Sequence, residues 1–135
     1  MANSTTVYRN EYGQNQIDVT ENKTLDAAGC GVIQNVKTDG IVVTLPALAA
    51  GLSFTVRNGG ATAVPAGASS NGTVLVAVSP NASDGIQGLG FTAADNKDAL
   101  NTKATSRIGD FIRLNAGSAD NWTVVEAKGI WTREA

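Results

Sequence analysis

Two carboxylates, Asp110 and Glu126, stand in neighbouring apolar segments, "RIGDFIRL" and "WTVVEAKG". If those segments pair as strands, the acids approach one another. Paired carboxylates are the equipment of glycoside hydrolysis, one giving a proton while the other attacks or activates water. The rest of the chain argues against that use. Sugar clefts are lined with aromatic platforms, and this chain has only three Phe, two Trp and two Tyr in 135 residues. An Asp between Gly109 and Phe111 more often bonds a turn backbone. A glycoside hydrolase is therefore not expected.

Other candidate chemistry dissolves in the same way. The glycines of "GIQGLG" (85–90) fall in the wrong order for a dinucleotide loop, and no strand–helix–strand unit surrounds them. "DNKD" (95–98) lacks the alternating ligands and following glycine of a calcium loop and reads as solvated loop. Cys30 is the single cysteine and no histidine exists, which removes an intrachain disulfide, Cys–His and Ser–His–Asp nucleophiles and the commonest metal ligand. Cys30 is expected as a small buried hydrophobe. No catalytic, metal-binding or cofactor-binding residue is predicted, and the chain is not expected to be an enzyme. Trp122, opening a strand, reads as core; Trp131 is the better interface anchor.

Charge sets further bounds. Ten basic and twelve acidic residues give a net charge of −2, without a Lys/Arg run. Neither a nucleic-acid partner nor a polybasic membrane patch is expected. No apolar run nears the roughly 18 residues that cross a bilayer, and the polar "MANSTTVYRNEYGQ" opening lacks a secretory core. Synthesis in a cytoplasm, as a soluble product, follows as an expectation. One domain suits the length.

Hydrophobic periodicity points to strands throughout. "GVIQNVKTDGIVVTLP" predicts a hairpin turned by Asp39-Gly40, with Val36 opposite Val43 and an inner face of Val32, Val36, Ile41, Val43 and Leu45. "ALAAG" (47–51) suits one helical turn. "LSFTVRN" alternates, with Leu52, Phe54 and Val56 inward and Ser53, Thr55 and Arg57 outward. "ATAVPAGASSNG" (61–72) reads as loop, whereas "TVLVAVS" is apolar on both faces and belongs between packed layers. Residues 80–106 form the longest irregular stretch, with a helical turn around Asn96 to Thr102. Residues 1–20 read as an extended arm, anchored by Tyr8 and Tyr12. The sum is an all-β fold: a small jelly-roll-like β-sandwich or barrel of seven or eight short strands over residues 21–135, preceded by that arm.

Three stretches carry a family resemblance: "TLDAAGCGVIQNVKTDGIVVTLPALAAGLSFTVRNGG", "DGIQGLGFTAADNKDALNTKATSRIGDFIRL" and "NWTVVEAKGIWTREA". Together they resemble the capsid decoration (cement, or head-stabilising) proteins of tailed phages over residues 20–135. The Leu-Pro…Gly-x-x-Phe half also looks like modules at the tips of phage tail fibres and spikes, an alternative reading as receptor-binding or adaptor module. "NTKATSRIGDF" and "GIWTRE" favour the head protein. The resemblance implies a homotrimer on the outer surface of an icosahedral head, bound to the major capsid protein and doing no chemistry. Shell contact is then expected from Tyr8, Arg9 and Tyr12 of the arm, and trimer contact from the 80–106 loop, Trp131 and Arg133.

Overall fold

The turn at Asp39-Gly40 decides the architecture, and it is not a hairpin. In the computed structural model, which describes residues 3–60, 75–81, 83–117 and 120–135, Gly40 takes φ +80° but Asp39 does not join it at positive φ. A type I′ turn needs both. Instead Gly40 N donates to Leu75 O at 3.0 Å, and Asp39 Oδ1 accepts from Leu75 N at 2.8 Å. The chain leaves one sheet before this turn and joins another after it.

Twelve strands lie among the described residues: β1 (Tyr8–Arg9), β2 (Asn15–Val19), β3 (Lys23–Thr24), β4 (Ile33–Val36), β5 (Ile41–Thr44), β6 (Ser53–Asn58), β7 (Val76–Ser79), β8 (Gly85–Gln87), β9 (Ala99–Asn101), β10 (Phe111–Asn115), β11 (Asn121–Lys128) and β12 (Thr132–Arg133). They form a seven-stranded sheet, β1-β2-β4-β6-β10-β11-β8, and a five-stranded sheet, β12-β9-β7-β5-β3. The expected all-β sandwich is present, with more and shorter strands than the turn signals suggested. Its first half is a coil. Parallel β2, β4 and β6 stack in the larger sheet while parallel β3, β5 and β7 stack in the smaller, so each circuit adds one strand to each. The second half closes on this coil mainly through antiparallel pairs: β10 with β6 and β11, β9 with β7, and β12 with β9.

The hairpin expectation is therefore corrected, although its inner face largely stands. Val36, Ile41, Val43 and Leu45 are all buried. Val36 and Val43 belong to different sheets that share one core, rather than lying opposite one another as neighbours in one sheet. Alternation demands only that one face be covered by another layer, and it does not say which strand lies alongside. β6 alternates as predicted, with Phe54 and Val56 buried and Leu52 half-buried just before it, and Asn58 extends the inward face. β7, apolar on both faces, is the middle strand of the smaller sheet. The core is mainly Val, Ile and Leu, each fully buried side chain contributing about 1.5–3 kcal/mol. Phe54 and Trp122 supply its bulk, their rings 5.6 Å apart at 54°. Trp122 is core, as expected, and its indole Nε1 has no partner among the described residues.

Three other expectations change. Residues 15–19 do not belong to an arm: they form β2, with Ile17 and Val19 in the interior. Asn3 Oδ1 ties the segment before it down by accepting from Thr20 N at 2.7 Å. β8 and β9 occupy the stretch 80–106, where β9 takes the place of the helical turn; three-residue strands are too short to display a period. No helix forms at 47–51, and the 3₁₀ turn is at Ala27–Gly29, capped by Asp26 Oδ1 accepting from Ala28 N at 3.0 Å. The loop expected at 61–72 lies outside the described residues.

A buried polar clasp joins the two sheets. Asn58 of β6 donates through Nδ2 to Asn101 Oδ1 of β9 at 2.8 Å. Asn101 Nδ2 in turn donates to Asp110 Oδ2 and to Ile130 O, both at 3.1 Å. Asp110 also accepts from Arg107 N at 3.0 Å, so it does bond a turn backbone. Gly129 makes room for it, since a Cβ there would overlap the Asp110 carboxylate. Nearby, Lys103 Nζ meets Asp39 Oδ2 at 2.8 Å, and this bond holds the Asp39 carboxyl below its ordinary range. Both partners are about half exposed, so the pair adds under about 1 kcal/mol.

Asn101→Ala removes the centre of the clasp and leaves buried partners unsatisfied. We expect a loss of about 3 kcal/mol, read from the urea midpoint, against under about 1 kcal/mol for Asn115→Ala on the outer face.

Candidate interaction surface on the larger sheet

The outward residues of the larger sheet stand in register across its strands. One row runs Asp18, Asn35, Arg57, Phe111, Lys128; the next runs Gln16, Ile33, Thr55, Arg113, Glu126. Period two puts these side chains on the face opposite the core. All of them but Asp18 and Asn35 floor an open groove of about 940 Å³, walled on one side by the 10–14 turn and on the other by Ile108 and Gly109.

Hydrogen bonds lock the first row. Tyr8 OH donates to Asp18 Oδ1 at 2.7 Å, Asn35 Nδ2 donates to the same oxygen at 3.0 Å, and Arg57 Nη1 donates to Asn35 Oδ1 at 2.7 Å. One relay thus crosses β1, β2, β4 and β6 and fixes the Arg57 guanidinium. Gln16, buried beneath the N-terminal hairpin, donates to Tyr8 OH at 2.7 Å and accepts from Asn10 Nδ2 at 3.0 Å. In the second row Arg113 Nη2 lies 3.4 Å from Glu126 Oε1. Phe111 lies in register between two cations, Arg57 on β6 and Lys128 on β11.

The sequence-predicted residues separate into two groups. Tyr8 and Arg9 form β1, the outer edge of the larger sheet, and Tyr12 projects from the groove rim with 76% of its surface exposed. Trp131 and Arg133 lie at the outer edge of the smaller sheet, where β12 pairs with β9. Trp131 packs half-buried against the core, and its Nε1 donates to Lys128 O at 3.0 Å. Arg133 Nη1 donates to Thr92 O at 2.9 Å. The coil places these groups at opposite ends of the stack of strands. Asp110 and Glu126 do not meet: the first is turned into the clasp and the second outward to Arg113. Cys30 is half-buried against the core edge, its Sγ 3.5 Å from Ser53 N.

Sequence reasoning missed the groove residues Phe111, Arg113 and Lys128. The signal for Phe111 and Arg113 was the outward phase of "FIRLN", visible once Ile112 and Leu114 are placed inside; Lys128 joins them only through its register with Phe111. Among the described residues no three Cys, Asp or Glu side chains gather as a metal site requires, and no helix is long and apolar enough to cross a membrane. Comparison with known protein families, with characterised proteins and with solved structures returns no match to this chain.

Burial, and then the bond to Asp18, raises the Tyr8 phenol above its ordinary 10.0. A raised folded-state value contributes stability that is present below 10.0 and is lost as pH climbs through the shifted value. Asp18→Asn should bring the Tyr8 ionisation back toward its ordinary range in an ultraviolet absorbance titration. An unmoved titration would mean that the relay does not begin at Tyr8.

Proposed function

We propose that this chain is a structural virion protein of a tailed phage: a capsid decoration, or cement, protein that sits as a homotrimer on the outer surface of the icosahedral head, bound to the major capsid protein. The observation that carries the reading is the distribution of exposed apolar side chains. Val7, Tyr8 and Tyr12 are exposed around β1, and Leu89, Val125 and Ile130 around the β8, β11 and β12 end, with Ile108 exposed between them on the groove wall. A hydrogen-bonded body with adhesive groups at both ends suits a bridge between neighbouring subunits. The residues that carry the family resemblance, from the Leu45-Pro46 strand end to the closing Trp131, agree with it.

Such a protein stabilises a shell by binding assembled capsomers and not separated ones, which shifts the assembly equilibrium by mass action. A trimer that touches three subunits gains effective concentration at its second and third contacts, so each patch can be weak alone. Each need bury only about 800 Å² per partner. Tyr8, Arg9 and Tyr12 form the shell contact, and Trp131 and Arg133 the trimer contact. Tyr8 contributes its ring edge, because its hydroxyl is occupied within the chain. The open groove on the larger sheet favours a second reading, a receptor-binding or adaptor module of a tail fibre or spike. Copy number per virion separates the two, hundreds against a handful.

Tyr12→Ala changes a side chain that the fold does not need. It should lower occupancy on isolated heads at least about tenfold, the loss typical of an interface anchor, while light scattering still reports a trimer. Undiminished shell binding rejects the assignment of Tyr12. A wild-type chain that is monomeric and indifferent to empty heads rejects the reading as a whole.

A further inference from the structure

Two cations converge on one point of the groove. Gly109 takes φ +97°, and a Cβ built there would lie 3.8 Å from Lys128 Nζ and 4.0 Å from Arg57 Nη2. The space exists because Gly109 has no side chain. Arg57 is already oriented through Nη1 by Asn35, which leaves Nη2 directed at this space. No carboxylate among the described residues pairs with either cation: Glu126 engages Arg113, Asp110 faces the clasp, Asp18 takes its bonds from Tyr8 and Asn35, and Glu11 lies on the far wall. Positive charge without an anionic partner is complementary to an anion, and Arg with Lys grips a carboxylate through short charge-assisted bonds.

We infer that the cradle of Arg57, Lys128 and Gly109 binds a carboxylate, and that its occupant is an acidic segment of another polypeptide lying extended across the groove. Three features favour polypeptide over an acidic sugar. The groove crosses five strands, β2 to β11. At roughly 4.8 Å per strand that is about 19 Å, the reach of about six extended residues at 3.3 Å each. Apolar Ile33, Phe111 and Ile108 line the path beside the cations, so a chain alternating acidic and apolar side chains fits both. The Arg113–Glu126 pair next to the cradle offers a donor and an acceptor to a passing backbone. The cradle lies on the wall of the groove opposite the Tyr12 rim, and the inference does not depend on the phage assignment.

The test is an amide NMR titration of the full-length chain with an end-blocked hexaglutamate peptide. The expected shifts cluster at Arg57, Gly109 to Arg113 and Lys128, and binding weakens with salt as the screening length shrinks from about 10 Å at 0.1 M to about 3 Å at 1 M. Arg57→Gln with Lys128→Gln should raise Kd at least tenfold, while Lys97→Gln, remote from the groove, leaves it unchanged. Lys128→Gln alone should weaken binding severalfold, and it keeps the test available if the double variant misfolds. Absent shifts, shifts elsewhere, or equal or tighter binding of an oligogalacturonate of the same charge each overturn the inference. Each of those results leaves capsid binding through Tyr12 untouched, so the two proposals fail separately.

Discussion

The Asn58–Asn101–Asp110 clasp is the constraint on which the sandwich depends. Sheets that pack through Val, Ile and Leu side chains slide easily, because aliphatic contact is non-directional. Buried amide and carboxylate groups are directional and strongly penalised when unpaired. Asn58 and Asn101 lie on facing strands of the two sheets, so their bond sets the offset of one layer against the other. Asp110 carries the same network into the start of β10, and Ile130 O brings in the link between β11 and β12. Gly129 is bound to this arrangement, because the carboxylate fills the volume a side chain would need.

Faces were legible in the sequence; partners were not. The alternation of β6 and the two-sided apolarity of β7 each read correctly, because burial is encoded residue by residue. Which strand lies beside which is encoded by turns, and here a glycine misled. Asp39-Gly40 carries a hairpin dipeptide, yet Asp39 is committed to Leu75 and Lys103, residues 36 and 64 positions away. Such a commitment leaves no local trace. β2 was hidden for a related reason: Gln16 and Asp18 give it a polar look, and their partners Tyr8, Asn10 and Asn35 become visible only after folding.

The surface was legible in part. Tyr12 stood out as an unexplained aromatic in a polar segment, and the fold leaves it unburied. Arg57 was placed outward but had no evident use. Its significance comes from register, which sets it beside Phe111 and within reach of the space at Gly109. A site assembled from one residue on each of several strands has no spacing signature along the chain. Only the sheet brings Arg57 and Lys128 together, across 71 positions of sequence.

The parallel coil carries a hazard that β1 answers. A stack of parallel rungs ends in strands whose backbone groups match those of the next rung, so its open end is a template for another molecule. β1 turns back antiparallel on β2 after a tight Asn10-to-Gln14 turn, and pairs over only two residues. Its reversed direction and exposed Tyr8 and Arg9 interrupt the repeat. Stripped of that reversal, the coil would present the β2 edge to incoming chains and elongate end to end into fibres, because a head-to-tail contact without closure has no natural stopping point.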